Sequence, residues 1–115
     1  LGLRILPGRV THMRKGIPFG YRIGWRGRAL GLSGDTEWDE SLIALAAETD
    51  IFLMECYTAD KKIPFHTSLK DLDREGDRLR TRRLLLTHMG EDVRQLTASG
   101  ESPFEAARDG QRIEF

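Results

Sequence analysis

Residues 50–55 read Asp-Ile-Phe-Leu-Met-Glu, a short apolar run between two carboxylates. A continuous apolar run of this length is typical of a strand that is buried on both faces. Residues 82–87, Arg-Arg-Leu-Leu-Leu-Thr, have the same character. Segments with helical periodicity precede and separate the two runs, at 40–47 and 68–78. This alternation predicts an α/β fold with buried strands connected by helices.

The flanking sequence predicts more strands of the same sheet. Residues 17–32 alternate apolar residues with arginine and glycine around Gly27, which is typical of a half-buried antiparallel hairpin. A strand-like apolar stretch precedes it at 1–10, and residues 110–115 have the pattern of an edge strand. Residues 58–66 are predicted to be a loop and 91–96 a short helix, and Asp39 or Thr36 is the expected cap of the helix at 40–47. We therefore expect one mixed β-sheet with helices on at least one face.

Length and composition limit the classes of protein that this sequence can form. Its 115 residues are 39% hydrophobic and 31% charged, which fits a single domain over 1–115. The one cysteine, Cys56, excludes a disulfide framework and a zinc site built from cysteines. No apolar run approaches the ~20 residues of a membrane span, so we expect no membrane association and a cytoplasmic location. Because the sequence starts at Leu1 rather than Met, we expect it to begin inside a longer protein.

The net charge is zero, but the charges are unevenly distributed. Residues 1–34 contain seven basic residues and no acidic residue, whereas 35–60 contain eight acidic residues and no basic one. A basic segment of this kind either exposes arginines to water along the strands or contacts a phosphate-bearing partner. Composition alone does not separate the two interpretations.

The three histidines lie where α/β proteins place functional side chains. His12, His66 and His88 each fall at the end of a predicted strand or in a predicted loop. Ligands of such proteins gather beyond strand ends, because loops there present side chains from a rigid sheet. A single histidine in such a place is usually a surface residue, but all three share the pattern.

Two carboxylates also follow predicted strands. Asp35 comes after the apolar run 29–32 and is a candidate metal ligand, with Thr36 as the expected hydrogen-bond partner. An Asx turn or a helix cap would explain the same residues equally well. Glu55 ends the run 50–55, and His66 lies eleven positions later. Such a pair could be a proton donor oriented by its carboxylate, or a structural hydrogen bond.

Taken together, these motifs resemble a known family. The order Ser33-Gly34-Asp35-Thr36, Glu55, His66 and Leu86-Thr87-His88 resembles the C-terminal half of metallo-β-lactamase-fold hydrolases of the ribonuclease Z (tRNase Z) branch. The resemblance covers residues 10–115, although residues 66–68 read His-Thr-Ser where ribonuclease Z usually has His-Ser-Thr. It implies half of an αββα sandwich, that is, one mixed β-sheet flanked by helices.

The resemblance implies roles for five residues. Asp35 would bridge two divalent metal ions, His12 would ligate the first ion and His88 the second. His66 would be the general acid, and Glu55 would orient it. Zinc is the first candidate metal, with manganese and iron as alternatives. The implied reaction is hydrolysis of a phosphodiester or another ester by metal-bound hydroxide, and candidate substrates are RNA or a small phosphodiester or ester. We expect Asp35, His12 and His88 to converge in the fold.

The family's His-x-His-x-Asp-His motif, which supplies two ligands to each metal, does not occur in the 115 residues. We therefore expect this sequence to be the C-terminal portion of the fold, with the missing N-terminal half as its partner. Alone, it should be inactive and bind zinc weakly; a homodimer is a candidate assembly. The alternative is a non-catalytic binding module that uses the basic segment 1–34 to contact nucleic acid or a protein.

Overall fold

Six strands form one mixed sheet whose order in space follows their order in the chain. The computed structural model describes residues 2–115. The strands are β1 (Arg4–Arg9), β2 (Phe19–Trp25), β3 (Arg28–Leu32), β4 (Ile51–Glu55), β5 (Leu84–Thr87) and β6 (Glu105–Ala106). The first three strands pair antiparallel, and β3 to β6 pair parallel. The mixed sheet, the hairpin at 17–32 and the buried strands at 50–55 and 82–87 confirm the prediction.

Three helices connect or follow the parallel strands. They are α1 (Ser41–Ala46), α2 (Leu69–Glu75), which continues into a 3₁₀ turn at Gly76–Arg78, and α3 (Glu91–Ser99). Their apolar side chains meet alternate residues of β4 and β5 in one core cluster, which includes Leu42, Leu45, Phe52, Met54, Leu69, Leu72, Leu86 and Val93. Within residues 2–115, no helix has the length and apolar character needed to cross a bilayer.

Helix α1 lies very close to the antiparallel strands, and a glycine permits this approach. A Cβ atom at Gly20 would lie 2.7 Å from Cδ1 of Leu45 and 2.7 Å from the carbonyl oxygen of Leu32. Any larger residue at this position of β2 would push the helix away from the sheet. The close packing fixes α1 over β1, β2 and β3.

The opposite face of the sheet is apolar and is most exposed at the antiparallel strands. Paired residues of neighbouring strands share a face, so Ile5, Ile23 and Leu30 lie together, as do Tyr21, Leu32 and Leu53. None of these six belongs to the helix-side core cluster, and Ile5 and Tyr21 are 51% and 39% exposed. A sheet that covers one face with helices and leaves an apolar second face has the surface needed to pack against another layer.

Of two local predictions, one is wrong and one is confirmed. The edge strand is β6 at Glu105–Ala106, whereas residues 110–115 have no regular structure. Strand β5 has only four residues, and residues 105–107 already occupy its edge through pairing and the bond from the Ala107 N–H to the Leu86 carbonyl. Glu40, the residue before α1, has helical φ and ψ angles of −62° and −22° and makes no side-chain cap bond. Asp39, one of the two predicted caps, supplies that bond instead, because its carboxylate accepts the Ser41 N–H at 2.9 Å.

Candidate metal centre

The parallel strands bring the predicted site residues to one edge of the sheet. Strands β3, β4 and β5 are parallel neighbours, so their carboxyl ends face the same side. Asp35 follows β3, Glu55 is the last residue of β4, and His88 follows β5 directly. This edge is where open α/β sheets bind ligands. We call these three residues, together with His12 and His66, the rim cluster.

Asp35 lies between two imidazoles. Its Oδ2 atom is 3.9 Å from Nε2 of His12 and 3.7 Å from Nε2 of His88. Two backbone positions with positive φ place these groups, Gly34 at 62° and His88 at 51°. A positive φ is unusual for histidine and costs about 1–3 kcal/mol, so the surrounding structure must enforce it. The expected convergence of Asp35, His12 and His88 is therefore present, and an Asx turn or a helix cap does not describe Asp35.

The His12 ring is oriented by the loop before α2. Its Nδ1 atom lies 3.1 Å from the carbonyl oxygen of Phe65. Because a carbonyl only accepts, Nδ1 carries the proton and Nε2 of the neutral ring has a free lone pair toward Asp35. Phe65 adopts a φ of 69°, and its N–H donates to Oε2 of Glu37 at 3.2 Å. This is the support that metal-ligating histidines usually have on their second nitrogen.

Glu55 is completely buried, and both of its carboxyl oxygens are hydrogen-bonded. Its Oε1 accepts the Thr36 N–H at 2.9 Å, its Oε2 accepts the Thr67 N–H at 3.3 Å, and Oε1 lies 2.7 Å from Nδ1 of His66. Burial raises the pKa of Glu55 to about 7, although the two backbone hydrogen bonds oppose the shift. The carboxyl therefore titrates near neutral pH.

His66 forms a pair with Glu55, and burial disfavours the charged form of each residue. Burial lowers the pKa of His66, and the neighbouring His12 ring lowers it further, while Asp35 acts in the opposite direction. The two opposite shifts favour the neutral pair, in which the Glu55 carboxyl donates its proton to Nδ1 of His66 and the ring keeps its own proton on Nε2. The ring's other nitrogen, Nε2, is the one that could exchange a proton with a bound molecule.

Aromatic stacking holds the imidazoles together. The ring centroids of His66 lie 5.1 Å from His12 and 5.3 Å from His88. Tyr57 stacks against both His66 and His88, at 4.9 Å and 5.4 Å. Three residues at this site, Tyr57, Phe65 and Glu37, were not predicted from the sequence. Tyr57 could have been found from its place two residues after Glu55 at a strand end, but no sequence signal marks the other two.

Thr36 supports the site differently from the prediction. Its hydroxyl lies 3.0 Å from the Thr11 nitrogen, whose N–H it accepts, and 2.6 Å from the Glu37 carbonyl. It therefore links the segment before His12 to the Asp35 turn and does not bond the Asp35 carboxylate. The second oxygen of Asp35 is left to face solvent or another molecule.

The donor set suits a transition metal but is incomplete within residues 2–115. Imidazole nitrogens and a carboxylate are ordinary zinc ligands, and tetrahedral coordination places two donors about 3.3 Å apart, close to the separations seen around Asp35. Each of the two positions beside Asp35 has only two donors, and in this described range no three His, Cys, Asp or Glu residues form a group that could hold an ion. An open depression of about 410 Å³ borders Asp35 and His88. Further ligands would therefore have to come from outside this set.

Comparison with known proteins identifies the architecture. The structure resembles the metallo-β-lactamase fold protein YhfI from Bacillus subtilis with a TM-score of 0.80 at 20% identity, covering 98% of this chain and 50% of that one. It resembles a diphosphatase of the PhnP family with a TM-score of 0.73 at 23% identity, covering 99% and 44%. Human tRNase Z, short form, gives a TM-score of 0.73 at 19% identity, covering 98% and 43%. Neither a protein-family model nor a curated protein sequence matches the chain.

The chain therefore has the architecture of one half of the metallo-β-lactamase fold. It spans about half the length of the solved structures that it matches. Identities near 20% establish the fold, whereas the tRNase Z branch and the roles of individual residues remain predictions.

Proposed function

We propose that this chain contributes half of the active site of a metal-dependent hydrolase with two metal positions. The observation that carries the proposal is the position of Asp35 Oδ2 between Nε2 of His12 and Nε2 of His88, at 3.9 Å and 3.7 Å. A carboxylate between two imidazoles can bridge two cations and offset their mutual repulsion. The fold supports the same interpretation, because the structures that it resembles include metal-dependent hydrolases.

Each residue of the rim cluster has a task in this proposal. His12, Asp35 and His88 would hold the ions, with zinc as the first candidate and manganese and iron as alternatives. Bound divalent ions supply Lewis acidity and lower the pKa of a coordinated water molecule. His66 donates a proton from Nε2 to the leaving group. Glu55 fixes the tautomer of His66 through Nδ1 and replaces the lost proton.

The partner that we propose for this half site is a second, N-terminal half of the fold. It would complete the ligand sets at the two positions beside Asp35. It would also cover the open apolar face of the sheet, which includes exposed Ile5 and Tyr21. One partner layer could meet both needs, since Leu32 and Leu53 of that face line the same depression as Asp35 and His88.

The substrate class that we propose is a phosphodiester or another ester, with RNA as one candidate. Asp35 and His88 are each more than 40% exposed and border a depression of about 410 Å³, which leaves room for a substrate group beside the metal positions. Among the proteins of similar fold, one is described as a diphosphatase and another as a tRNase Z, so phosphoesters are the first substrates to test.

The proposal is tested by substituting Asp35 in the complete protein. Asp35→Asn should reduce hydrolysis of bis(p-nitrophenyl) phosphate to background and lower the metal content, because the amide cannot neutralise two dications. Asp77→Asn, which changes an exposed aspartate away from the rim cluster, is the matched control and should change neither. An Asp35→Asn protein with normal rate and metal content would refute the proposed site.

A non-catalytic binding module is the second candidate function. The incomplete ligand set within residues 2–115 and the concentration of arginine in residues 1–34 favour it. The two functions differ in one measurable respect, since only the hydrolase requires metal for its activity.

A further inference from the structure

A second charged surface lies at the opposite end of the sheet from the rim cluster. The β2–β3 turn, at residues 25–28, reads Trp-Arg-Gly-Arg and is seven residues along the chain before Asp35. At about 3.3 Å per residue in a strand, this places the turn roughly 20 Å from the metal positions. None of the proposed hydrolase chemistry uses it.

This end of the sheet forms an open cleft lined by arginine. Its volume is about 330 Å³, and its charged lining residues are Arg4, Arg22, Arg26, Arg28 and Glu48. The lining therefore carries a formal excess of three positive charges. We call this surface the arginine cleft.

Most of these guanidinium groups have no carboxylate partner. Within residues 2–115, Arg4, Arg22 and Arg26 form no ion pair with a carboxylate, and only the Nε of Arg22 is engaged, by donating to the Ala47 carbonyl at 3.1 Å. Arg28 is paired with Asp50 at 3.5 Å, but Asp50 also pairs with Arg82. Three arginines with unpaired charge on one concave surface favour an anion with several charged oxygens.

An exposed aromatic ring borders the same cleft. Trp25 is 48% exposed, and the guanidinium of Arg26 lies over its ring at 4.7 Å from the centroid. Arg26 has a φ of 48° and Gly27 a φ of 79°, so the tight turn holds the tryptophan and the arginine side by side. A planar base can stack on indole or on guanidinium while phosphates bind the arginines.

We propose that the arginine cleft binds nucleotide phosphates, with the base stacked at Trp25 and Arg26. Two candidate ligands, a single-stranded nucleic acid and a free nucleoside triphosphate, both carry phosphate groups close to an aromatic base. The inference is independent of the proposed hydrolase, because it uses none of the rim cluster and requires no metal.

The test measures binding in EDTA, which removes any metal-dependent contribution of the rim cluster. The probes are a fluorescein-labelled 12-nucleotide oligo(U), followed by anisotropy, and ATP, followed by quenching of tryptophan fluorescence. At 50 mM salt we expect one of them to bind with a dissociation constant of about 10⁻⁴ to 10⁻⁶ M and to be released as salt rises. If only the oligonucleotide binds tightly, the ligand of the cleft is a nucleic-acid strand. If ATP binds equally well, the ligand is a free nucleotide.

The variants locate the binding surface. Arg4→Gln/Arg26→Gln should weaken binding about tenfold or more and reduce the salt slope by about one for each arginine. Arg112→Gln, which removes an exposed arginine outside the cleft, is the control and should bind normally. Trp25→Phe should abolish the quenching by ATP. The proposal is overturned if neither probe binds at 50 mM salt, if the control weakens binding as much as the double variant, or if inorganic tripolyphosphate binds as tightly as ATP.

Discussion

The two ends of the sheet are built in opposite ways. At the rim cluster, a buried carboxyl accepts two backbone N–H groups and contacts an imidazole, and a second imidazole is fixed by a backbone carbonyl. At the arginine cleft, the charged groups are mostly exposed and make few bonds to the protein. Groups that must hold one geometry for chemistry need such support, whereas groups that attract an anion by charge do not. Substitutions at the two ends should therefore have different consequences.

After the Asp35 substitution, the largest effect is expected at His66. His66→Ala in the complete protein should lower the rate of ester hydrolysis by about 10²–10⁴-fold, the usual contribution of a general acid. The metal content should stay near normal, because Oδ2 of Asp35 lies within 4 Å of Nε2 of His12 and of His88 but makes no such contact with His66. Measuring rate and metal stoichiometry on the same sample separates the two roles. Loss of the metal together with the rate would make His66 a ligand instead.

A smaller effect, on stability, is expected at Glu55. Burial raises its pKa from the ordinary 4.5 to about 7 in the folded protein. The stabilising contribution of the neutral carboxyl is therefore complete below pH 4.5 and is lost as the pH rises through 7. Glu55→Gln has no such titration. From pH 5 to pH 8 the free energy of unfolding should therefore fall by about 2 kcal/mol more in the wild type than in the variant. Urea denaturation at both pH values measures this difference, and parallel pH profiles would show that the pKa of Glu55 is not raised.

Glu37 should affect metal binding to a lesser extent. Glu37→Gln weakens the bond to the Phe65 N–H and so loosens the carbonyl that orients His12. We expect about tenfold weaker metal binding with the fold intact, the lower part of the range for such supporting residues. Competition with a chromophoric chelator gives the affinity. Glu40→Gln, an exposed glutamate on the neighbouring turn, is the control and should leave the affinity unchanged.

The smallest effect is expected at the arginine cleft. Arg4→Gln/Arg26→Gln should change the free energy of unfolding by no more than about 0.5 kcal/mol, because exposed side chains without specific partners contribute little to stability. Thermal denaturation at neutral pH checks this expectation. A loss comparable to that of a core substitution would mean that the two ends of the sheet are not built differently.

Much of the fold could be predicted because its signals are local. The apolar run at 50–55 and the alternating pattern at 17–32 each determine a strand from neighbouring residues alone. The edge strand at 110–115 was misplaced because its pattern is compatible with a strand, but the short edge of β5 is already taken by residues 105–107. Competition for a partner is a property of the tertiary structure and leaves no local signal.

The site could be predicted in part for the same reason. Asp35, Glu55 and His88 follow apolar strands, so the rule that parallel strands end at one edge brings them together. The support of His12 by Phe65 and Glu37 could not be predicted, because it depends on a positive φ at Phe65 and on a contact between distant loops. The contacts of Tyr57 with the rings of His66 and His88 likewise depend on side-chain packing that sequence spacing does not specify.

The proposed metal ligands can be tested by adding zinc and monitoring the NMR signals of the imidazole nitrogens. The sequence has only three histidines, so three ring systems report on the whole site. We predict that Nε2 of His12 and Nε2 of His88 shift with added zinc, weakly in this chain alone, while the Nδ1 contact of His66 with Glu55 persists. Asp35→Asn should abolish both shifts. The account is contradicted if His66 responds as a ligand while His88 does not, or if zinc moves none of the three rings.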